Sequence, residues 1–294
     1  MASSIFHRGE KYIQRESGES AMASRNAAMI SDKITGSSAM FLQEQQVIYA
    51  ASVDAEGGLW ASVLSGSKGF ISLSDHQHLT INLSLILSDR SDIFWTNITE
   101  KSGIGLLCID MVSRRRLRIN GRISRNGDLL VIRICQVYSV CPKYIQRRDL
   151  FYDRVNPTNN AGDLKDWLSR TDTIFVASAD DQGNADMSNR GGNIGFIQLK
   201  DERTLRIPDY PGNSMFNTLG NFYVNPPAGI LLLDFTNGET IQLSGRAIVH
   251  VNEEAGIETG GTERFWDFSI DQVLRGNSLT LFTSRFIDFS PYNP

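Results

Sequence analysis

The sequence predicts a mainly β protein: two tandem copies of a small antiparallel β-barrel, with peripheral helices and a helical arm at the N-terminus. Three observations carry this. Apolar or alternating runs of strand length, separated by turn residues, recur along most of the chain. The second half repeats the first in register. Helical periodicity is confined to the first 40 residues and a few short stretches.

Residues 1–40 read as the arm. Glu10 to Glu16 and Ser20 to Ile34 carry Ala, Met and Ile at helical spacing with polar residues between. Such an arm packs over its own barrel or receives a partner. The first barrel follows at 41–150. Val47 to Val53 is a buried strand, Asp54 to Gly58 a hairpin turn, and Leu59 to Leu64 the return strand. Gly69 to Leu73, Leu79 to Leu83, Gly103 to Asp110, Arg116 to Ile123 and Leu129 to Val137 are further strands. The second barrel occupies 151–294. Asn156 to Asn160 reads as a linker loop, and Asp163 to Leu168 as a short entry helix.

The repeat is explicit. A shift of 126 aligns 52–75 with 178–201, and ten of 24 positions are identical. Among them are Ser52/Ser178, Asp54/Asp180, Ser62/Ser188, Gly66/Gly192 and Phe70/Phe196. A shift of 124 aligns 97–123 with 221–247, where Asn97, Gly105, Asp110 and Gly121 recur as Asn221, Gly229, Asp234 and Gly245. The shift drops by two inside 76–96 against 202–220. There the second copy reads Pro208-Asp209-Tyr210-Pro211-Gly212-Asn213-Ser214-Met215-Phe216-Asn217, and the first copy has no proline and no Gly-Asn. A scaffold feature would be needed twice. A turn kept once serves a site, and one such site remains.

That turn predicts a phosphate-type environment. The prolines and Gly212 end the strand Thr204 to Ile207. Asn213 and Ser214 are N-cap residues for a helix through Met215, Phe216 and Leu219. Strand end, turn and helix start aim backbone N–H groups at one place. Two further clusters belong with it: Ser188, Arg190, Gly191 and Gly192 at a strand end, and the arginine run Arg114 to Arg122 of the first copy. That run reads as a solvated basic strand, or as a source of one or two arginines for an anion at the seam.

Composition limits the alternatives. A net charge of −4 gives no electrostatic case for nucleic acid or an anionic membrane. No apolar run approaches a membrane span and Met1 to Glu10 has no apolar signal core, so a cytoplasmic protein is expected. Cys108, Cys135 and Cys141 lack metal spacing and are expected as reduced thiols. His76 and His78 would share one face of a strand, but no third ligand is evident, so no metal is expected. Ser62 and Ser188 have no activating histidine or acid in register, and no Walker or Gly-x-Gly-x-x-Gly motif is present.

The runs Ala185 to Gly192, Thr204 to Asn213, Asn217 to Asn221 and Gln242 to Ala247 resemble the pyridoxamine 5′-phosphate oxidase-like, FMN-binding split-barrel family. Phe6 to Glu10, Met22 to Asn26, Cys141 to Gln146 and Ser290 to Pro294 are similar to its tandem, flavin-nucleotide-binding branch. The resemblance implies tandem six-stranded Greek-key split barrels forming a pseudo-dimer within one chain, with FMN at their interface. It implies an FMN-dependent oxidoreductase with a small-molecule substrate, or a flavin carrier or sensor without turnover. A haem-handling split barrel is a further alternative, and two empty structural barrels another. By resemblance, Ser188, Arg190, Gly191, Gly192, Pro208, Asp209, Tyr210, Gly212, Asn213 and Asn217 hold the flavin nucleotide. Lys143 and Gln146 from the link between copies, and Arg116 from the first copy, complete the set. The tandem chain completes the pseudo-dimer alone, or pairs again as a homodimer through its N-terminal helices. Two departures set it apart from true pyridoxamine phosphate oxidases. Gly212-Asn213-Ser214-Met215 replaces a Ser-Arg-Lys-type run, and 288–294 lacks an Arg-x-His-type substrate pair.

Overall fold

A computed structural model describes residues 4–139, 141–152, 162–277 and 283–294. The expected linker at Asn156 to Asn160 lies outside them. The arm contributes α1 (Arg8–Glu16) and α2 (Ser20–Asn26), followed by one turn of 3-10 helix. The second helix ends earlier than expected, at Asn26. The first copy contains α3 (Gly36–Gln43), β1 (Val47–Val53), β2 (Leu59–Ser65), β3 (Ile71–Asp75), β4 (His78–Asn82), α4 (Ile93–Asn97), β5 (Gly103–Asp110), β6 (Arg115–Asn126) and β7 (Leu129–Ser139). The link carries β8 (Arg147–Phe151). The second copy contains α5 (Leu164–Leu168), β9 (Thr173–Ala179), β10 (Ala185–Gly191), β11 (Gln198–Asp201), β12 (Thr204–Pro208), α6 (Asn217–Val224), β13 (Pro227–Leu233), β14 (Glu239–Val251) and β15 (Arg264–Asn277). β16 (Thr283–Asp288) then pairs with β8.

The two sheets have one topology. The strand order is β2-β1-β5-β6-β7-β4-β3 in the first and β10-β9-β13-β14-β15-β12-β11 in the second, with antiparallel pairing throughout. These are tandem split barrels. Each sheet has seven strands, one more than the six that the resemblance implies.

Identical positions make identical contacts. Asn97 Nδ2 donates to Ser52 Oγ at 3.1 Å, and Asn221 Nδ2 to Ser178 Oγ at 2.9 Å. Asp54 Oδ1 accepts two backbone N–H groups in the first hairpin, as Asp180 Oδ1 does in the second. A Cβ on Gly66 or on Gly192 would strike Phe70 or Phe196. Gly121 and Gly245 each follow a β-bulge that bends the long hairpin. The residues that recur between copies are therefore scaffold.

Among the described residues, three large apolar clusters and a small one at the arm (Phe6, Ala23, Tyr138 and Met215) hold the chain together. One fills the first barrel, around Ile48, Phe70, Leu106 and Ile132. Another fills the second, around Val176, Leu205, Ile230 and Trp266. The third lies on the seam, where Tyr49, Leu59, Leu107, Phe175, Met187 and Leu231 meet. Tyr49 and its repeat counterpart Phe175 stack at 3.5 Å between ring centroids, 12° from parallel, at the centre of a pseudo-twofold arrangement. Each large apolar side chain buried there contributes about 1.5–3 kcal/mol. Gly105 and Gly229 let backbones touch across the same seam. A Cβ on Gly105 would lie 2.6 Å from the backbone of Asp186, and one on Gly229 would lie 2.7 Å from Leu59 O.

Candidate functional site

The arginine run of β6 is not a solvated strand. Arg114, Arg116, Arg118 and Arg122 all reach beyond the first barrel. Arg122 donates to Asn184 Oδ1 at 2.6 Å, and Arg114 donates to Ile145 O at 2.8 Å and pairs with Asp288. Arg116 and Arg118, two residues apart and so on one face of β6, enter a cleft between the copies. Arg118 pairs with the buried Asp186 at 3.1 Å. Arg116 donates to Asn189 and to Cys141 O but has no carboxylate partner among the described residues. Burial, with Arg118 and Arg190 nearby, pushes its guanidinium down to about 9. Each effect disfavours an uncompensated cation.

The other walls come from the second copy and the link. β10 supplies Asn189, Arg190 and Gly191, and the end of β12 supplies Pro208. The turn after it supplies Asp209, Tyr210, Gly212, Asn213, Ser214 and Phe216, and the first turn of α6 supplies Asn217, Thr218 and Leu219. Cys141, Lys143 and Tyr144 close the cleft from the link. The C-terminus latches this link in place: Tyr144 N donates to Ser290 Oγ at 3.1 Å, and Asn193 Nδ2 donates to Pro294 O at 2.6 Å.

Ten of the thirteen residues chosen from the sequence line this cleft: Arg116, Lys143, Arg190, Gly191, Pro208, Asp209, Tyr210, Gly212, Asn213 and Asn217. The other three face elsewhere. Ser188 is fully buried, donating to Val176 O and accepting from Thr218 Oγ1 at 3.1 Å. Gly192 packs on Phe196. Gln146 is spent on the latch, donating to Gly192 O at 3.1 Å and accepting from Ser290 N at 2.7 Å. Arg118, Tyr144 and Asn189 also line the cleft. The two-residue spacing of Arg116 and Arg118 was the available signal for Arg118.

The turn differs in detail from the expectation. The helix begins at Asn217, not at Ser214, and its N-cap is Phe216. Asn213 Oδ1 accepts from Met215 N at 3.2 Å, forming a local turn instead of a cap. The left-handed residues are Ser214 (φ 62°) and Phe216 (φ 60°). Such conformations cost about 1 kcal/mol or more in non-glycine residues and persist only where the surroundings impose them. Here Ser214 Oγ donates to Glu19 Oε2 at 2.5 Å, and Asn26 Nδ2 donates to Asn213 O at 2.7 Å. Both holding groups belong to the N-terminal arm. His76 and His78 do not share a strand face either: β4 starts at His78, and His76 sits in the preceding turn against Ile34 O.

Asp209 is buried between two guanidiniums, Arg190 at 2.5 Å and Arg264 at 3.1 Å. It positions Arg190 and offsets its charge. Three guanidiniums that line the cleft nevertheless each keep one buried nitrogen without a partner among the described residues. The buried Nε atoms of Arg116, Arg118 and Arg190 make no hydrogen bond. An orphaned buried donor costs about 1–3 kcal/mol, more when charged. Beside them, α6 presents an N-terminus with no side-chain cap, the positive end of its dipole. The same positions in the other copy are neutral. Thr240, Gln242 and Leu64 stand where Arg116, Arg118 and Arg190 stand here, and Gln242 donates to Ala61 O and Ser62 Oγ, both at 2.9 Å. Tyr144 and Tyr210, with ring centroids 5.1 Å apart, flank the cleft. Burial pushes the Tyr210 phenol up to about 12, so it stays protonated at neutral pH. None of the four histidines lines the cleft. Among the described residues no helix is long and apolar enough to cross a membrane.

No family model matches the chain, and no curated protein does. Solved structures resemble parts of it. HupZ of Group A Streptococcus is 15% identical over 40% of this chain and 94% of its own, with a TM-score of 0.33. A candidate pyridoxamine 5′-phosphate oxidase of Lactobacillus delbrueckii is 16% identical over 41% of this chain and 98% of its own, with a TM-score of 0.32. HutZ of Vibrio cholerae, described as a haem storage protein, is 14% identical over 39% and 93%, with a TM-score of 0.30. Each likeness spans well under half of this chain and nearly all of the other protein.

Proposed function

We propose that the seam cleft binds FMN and that the chain is an FMN-dependent oxidoreductase acting on a small substrate. The support for this reading is the set of three guanidinium side chains, of Arg116, Arg118 and Arg190, that line one cleft at the start of α6 and whose buried Nε atoms have no partner among the described residues. A phosphate monoester is a dianion with acceptor oxygens that answers all three. The one-sided retention of the turn and the sequence resemblance agree with a single flavin site. FMN, when bound, supplies the redox chemistry. The chain's own residues hold its phosphate with Arg116, Arg118 and Arg190, fix Arg190 through Asp209, and offer Tyr144 and Tyr210 as apolar walls. A flavin carrier would use the same cleft and is distinguished only by turnover. The lack of a histidine in the cleft weighs against haem.

Purified protein titrated with FMN is expected to quench flavin fluorescence and to melt several degrees higher, since a ligand at 100 times its Kd stabilises by about 2.7 kcal/mol. Reduction of the bound flavin by NADH or NADPH marks an oxidoreductase, and its absence marks a carrier. An unchanged melting temperature in excess FMN refutes the reading. Arg116→Ala removes the cation with no carboxylate partner. It should weaken FMN binding about 10- to 100-fold while leaving riboflavin, which has no phosphate, nearly unaffected. Equal losses for both ligands would place the phosphate elsewhere.

A further inference from the structure

A second cavity, of about 610 Å³, lies between the N-terminal arm and the seam. The arm lines it with His7 and Glu10, β6 with Asn120, the second hairpin and β10 with Asp180 and Asp186, and α6 with Asn217 and Asn221. No lysine or arginine is among its described lining residues. Two of its three carboxylates are already engaged. Asp180 accepts from Gln182 N and from Asn184 in its own turn. Asp186 accepts from Arg118, Asn120 and Tyr138.

Glu10 differs. It is 4% exposed, and its hydrogen-bond partners are neutral: Asn217 Nδ2 at 2.5 Å and His7 N at 2.8 Å. His7 Nδ1 accepts from Gly9 N at 3.1 Å, and its Nε2 lies 2.9 Å from Asn221 Oδ1. The ring is therefore the neutral Nε2–H form, which burial also favours by lowering its pKa. Its Nε2 is 3.5 Å from Glu10 Oε2. Asn120 is 8% exposed and donates through Nδ2 to Asp186, and its Oδ1 has no partner. Among the described residues, the cavity is thus bordered by a carboxyl without a cation and by an asparagine whose buried amide oxygen has no donor. Both call for N–H groups, and the carboxylate calls for positive charge. Among the described residues no group of three or more His, Cys, Asp or Glu could hold a metal ion.

We infer that this cavity is a binding site for a small organic cation bearing several N–H donors, a primary ammonium or amidinium, held by Glu10 and Asn120. The site is independent of the flavin reading, although Asn217 borders both spaces. Burial, opposed by the His7 N–H and Asn217 and reinforced by the charges of Asp186 and Asp180, raises the Glu10 carboxyl to about 8. Arg118 pairs with Asp186, at 3.1 Å, and not with Glu10. At neutral pH the free site is therefore protonated, and an arriving cation displaces that proton.

The test is calorimetric titration of the full chain, without flavin, using 1,4-diaminobutane and its neutral analogue 1,4-butanediol. The diamine is expected to bind at least about tenfold more tightly than the diol. It should release a proton, read as heat that varies with the buffer, and its affinity should rise several-fold per pH unit up to about pH 8. Glu10→Gln should lose about tenfold in affinity and the buffer dependence, and Asn120→Ala should lose several-fold with the buffer dependence intact. Asn120→Ala carries the test alone if Glu10→Gln does not fold. Diol binding as tight as diamine binding, no diamine binding at millimolar concentration, or wild-type affinity in the folded variants would overturn the assignment. Flavin titration of the same samples reads out separately, so failure at one site is not failure at the other.

Discussion

A valine in place of Gly105 will destabilise the chain by about 3 kcal/mol or more and open the seam between the two copies. The side chain would start from a Cβ position 2.6 Å from the Cα, the carbonyl carbon and the following nitrogen along Asp186 and Met187. Those are backbone atoms of β10, so no rotamer change relieves the contact. β10 carries Asp186, Asn189 and Arg190, and a shift there displaces one wall of the cleft and the partner of Arg118. Gly212→Ala is the control, because a Cβ there would meet only Tyr210 O, at 3.8 Å. Urea denaturation followed by fluorescence compares the two. A Gly105→Val protein within about 1 kcal/mol of wild type would show that the seam does not need the close approach.

Glu10→Gln will make stability less dependent on pH, by up to about 5 kcal/mol across the titration of one carboxyl. The sign follows from the direction of the shift. The folded-state value, about 8, lies above the ordinary value of 4.5. Folding thus holds a proton that the unfolded chain releases. The full contribution is present below about pH 4.5, declines as pH rises, and is lost once pH passes about 8. Above that, a buried carboxylate with neutral partners opposes docking of α1 on α6. Glutamine carries no charge to bury. The variant should therefore match or trail wild type at low pH and exceed it above pH 8. The difference in unfolding free energy between the two proteins, measured from about pH 5 to pH 9, isolates this group. A difference that stays constant across the range would mean that Glu10 ionises normally.

Loss of the Glu10 contact would reach the cleft through the arm and α6, as loss of the Gly105 contact would through β10. α1 packs against α6 where Gly9 and Gly220 approach, since a Cβ on Gly9 would lie 2.1 Å from Gly220 O. The arm also holds the left-handed turn through Glu19 and Asn26. The segment read as a helical arm over the barrel is thus a component of the cleft's support.

Much of the fold was legible because repetition supplied an internal comparison. β1 and β5 match their expected bounds, since each is a continuous apolar run ended by a turn-forming aspartate: Asp54 follows β1, and Asp110 closes β5. The start of α6 was not legible. Asn213 and Ser214 have N-cap chemistry, but Asn213 Oδ1 closes a local turn on Met215 N, Glu19 of the arm captures Ser214 Oγ, and the chain turns through Ser214 and Phe216 first. Arg114 to Arg122 could not be sorted into solvated and buried arginines, because strand alternation names a face and not what covers it.

The sequence alone determined the two copies, their order and the place where they diverge, because hairpin turns, bulges and strand periodicity are local and leave residues at fixed spacings. The stretch from Pro208 to Asn221 was marked as a candidate site for the same reason: its turn chemistry is present once in a chain built twice. Only the tertiary structure decided which residues recur for packing. It placed Ser188, Gly192 and Gln146 outside the lining of the cleft and Arg118 within it. It also showed Arg190 tied to Asp209 and Arg116 without a carboxylate partner among the described residues. The placing of the β6 arginines depends on contacts between residues 66 to 73 positions apart, as between Asn120 and Asp186, Arg118 and Asp186, and Arg116 and Asn189. Packing of one barrel on the other sets such contacts, and no local pattern encodes them.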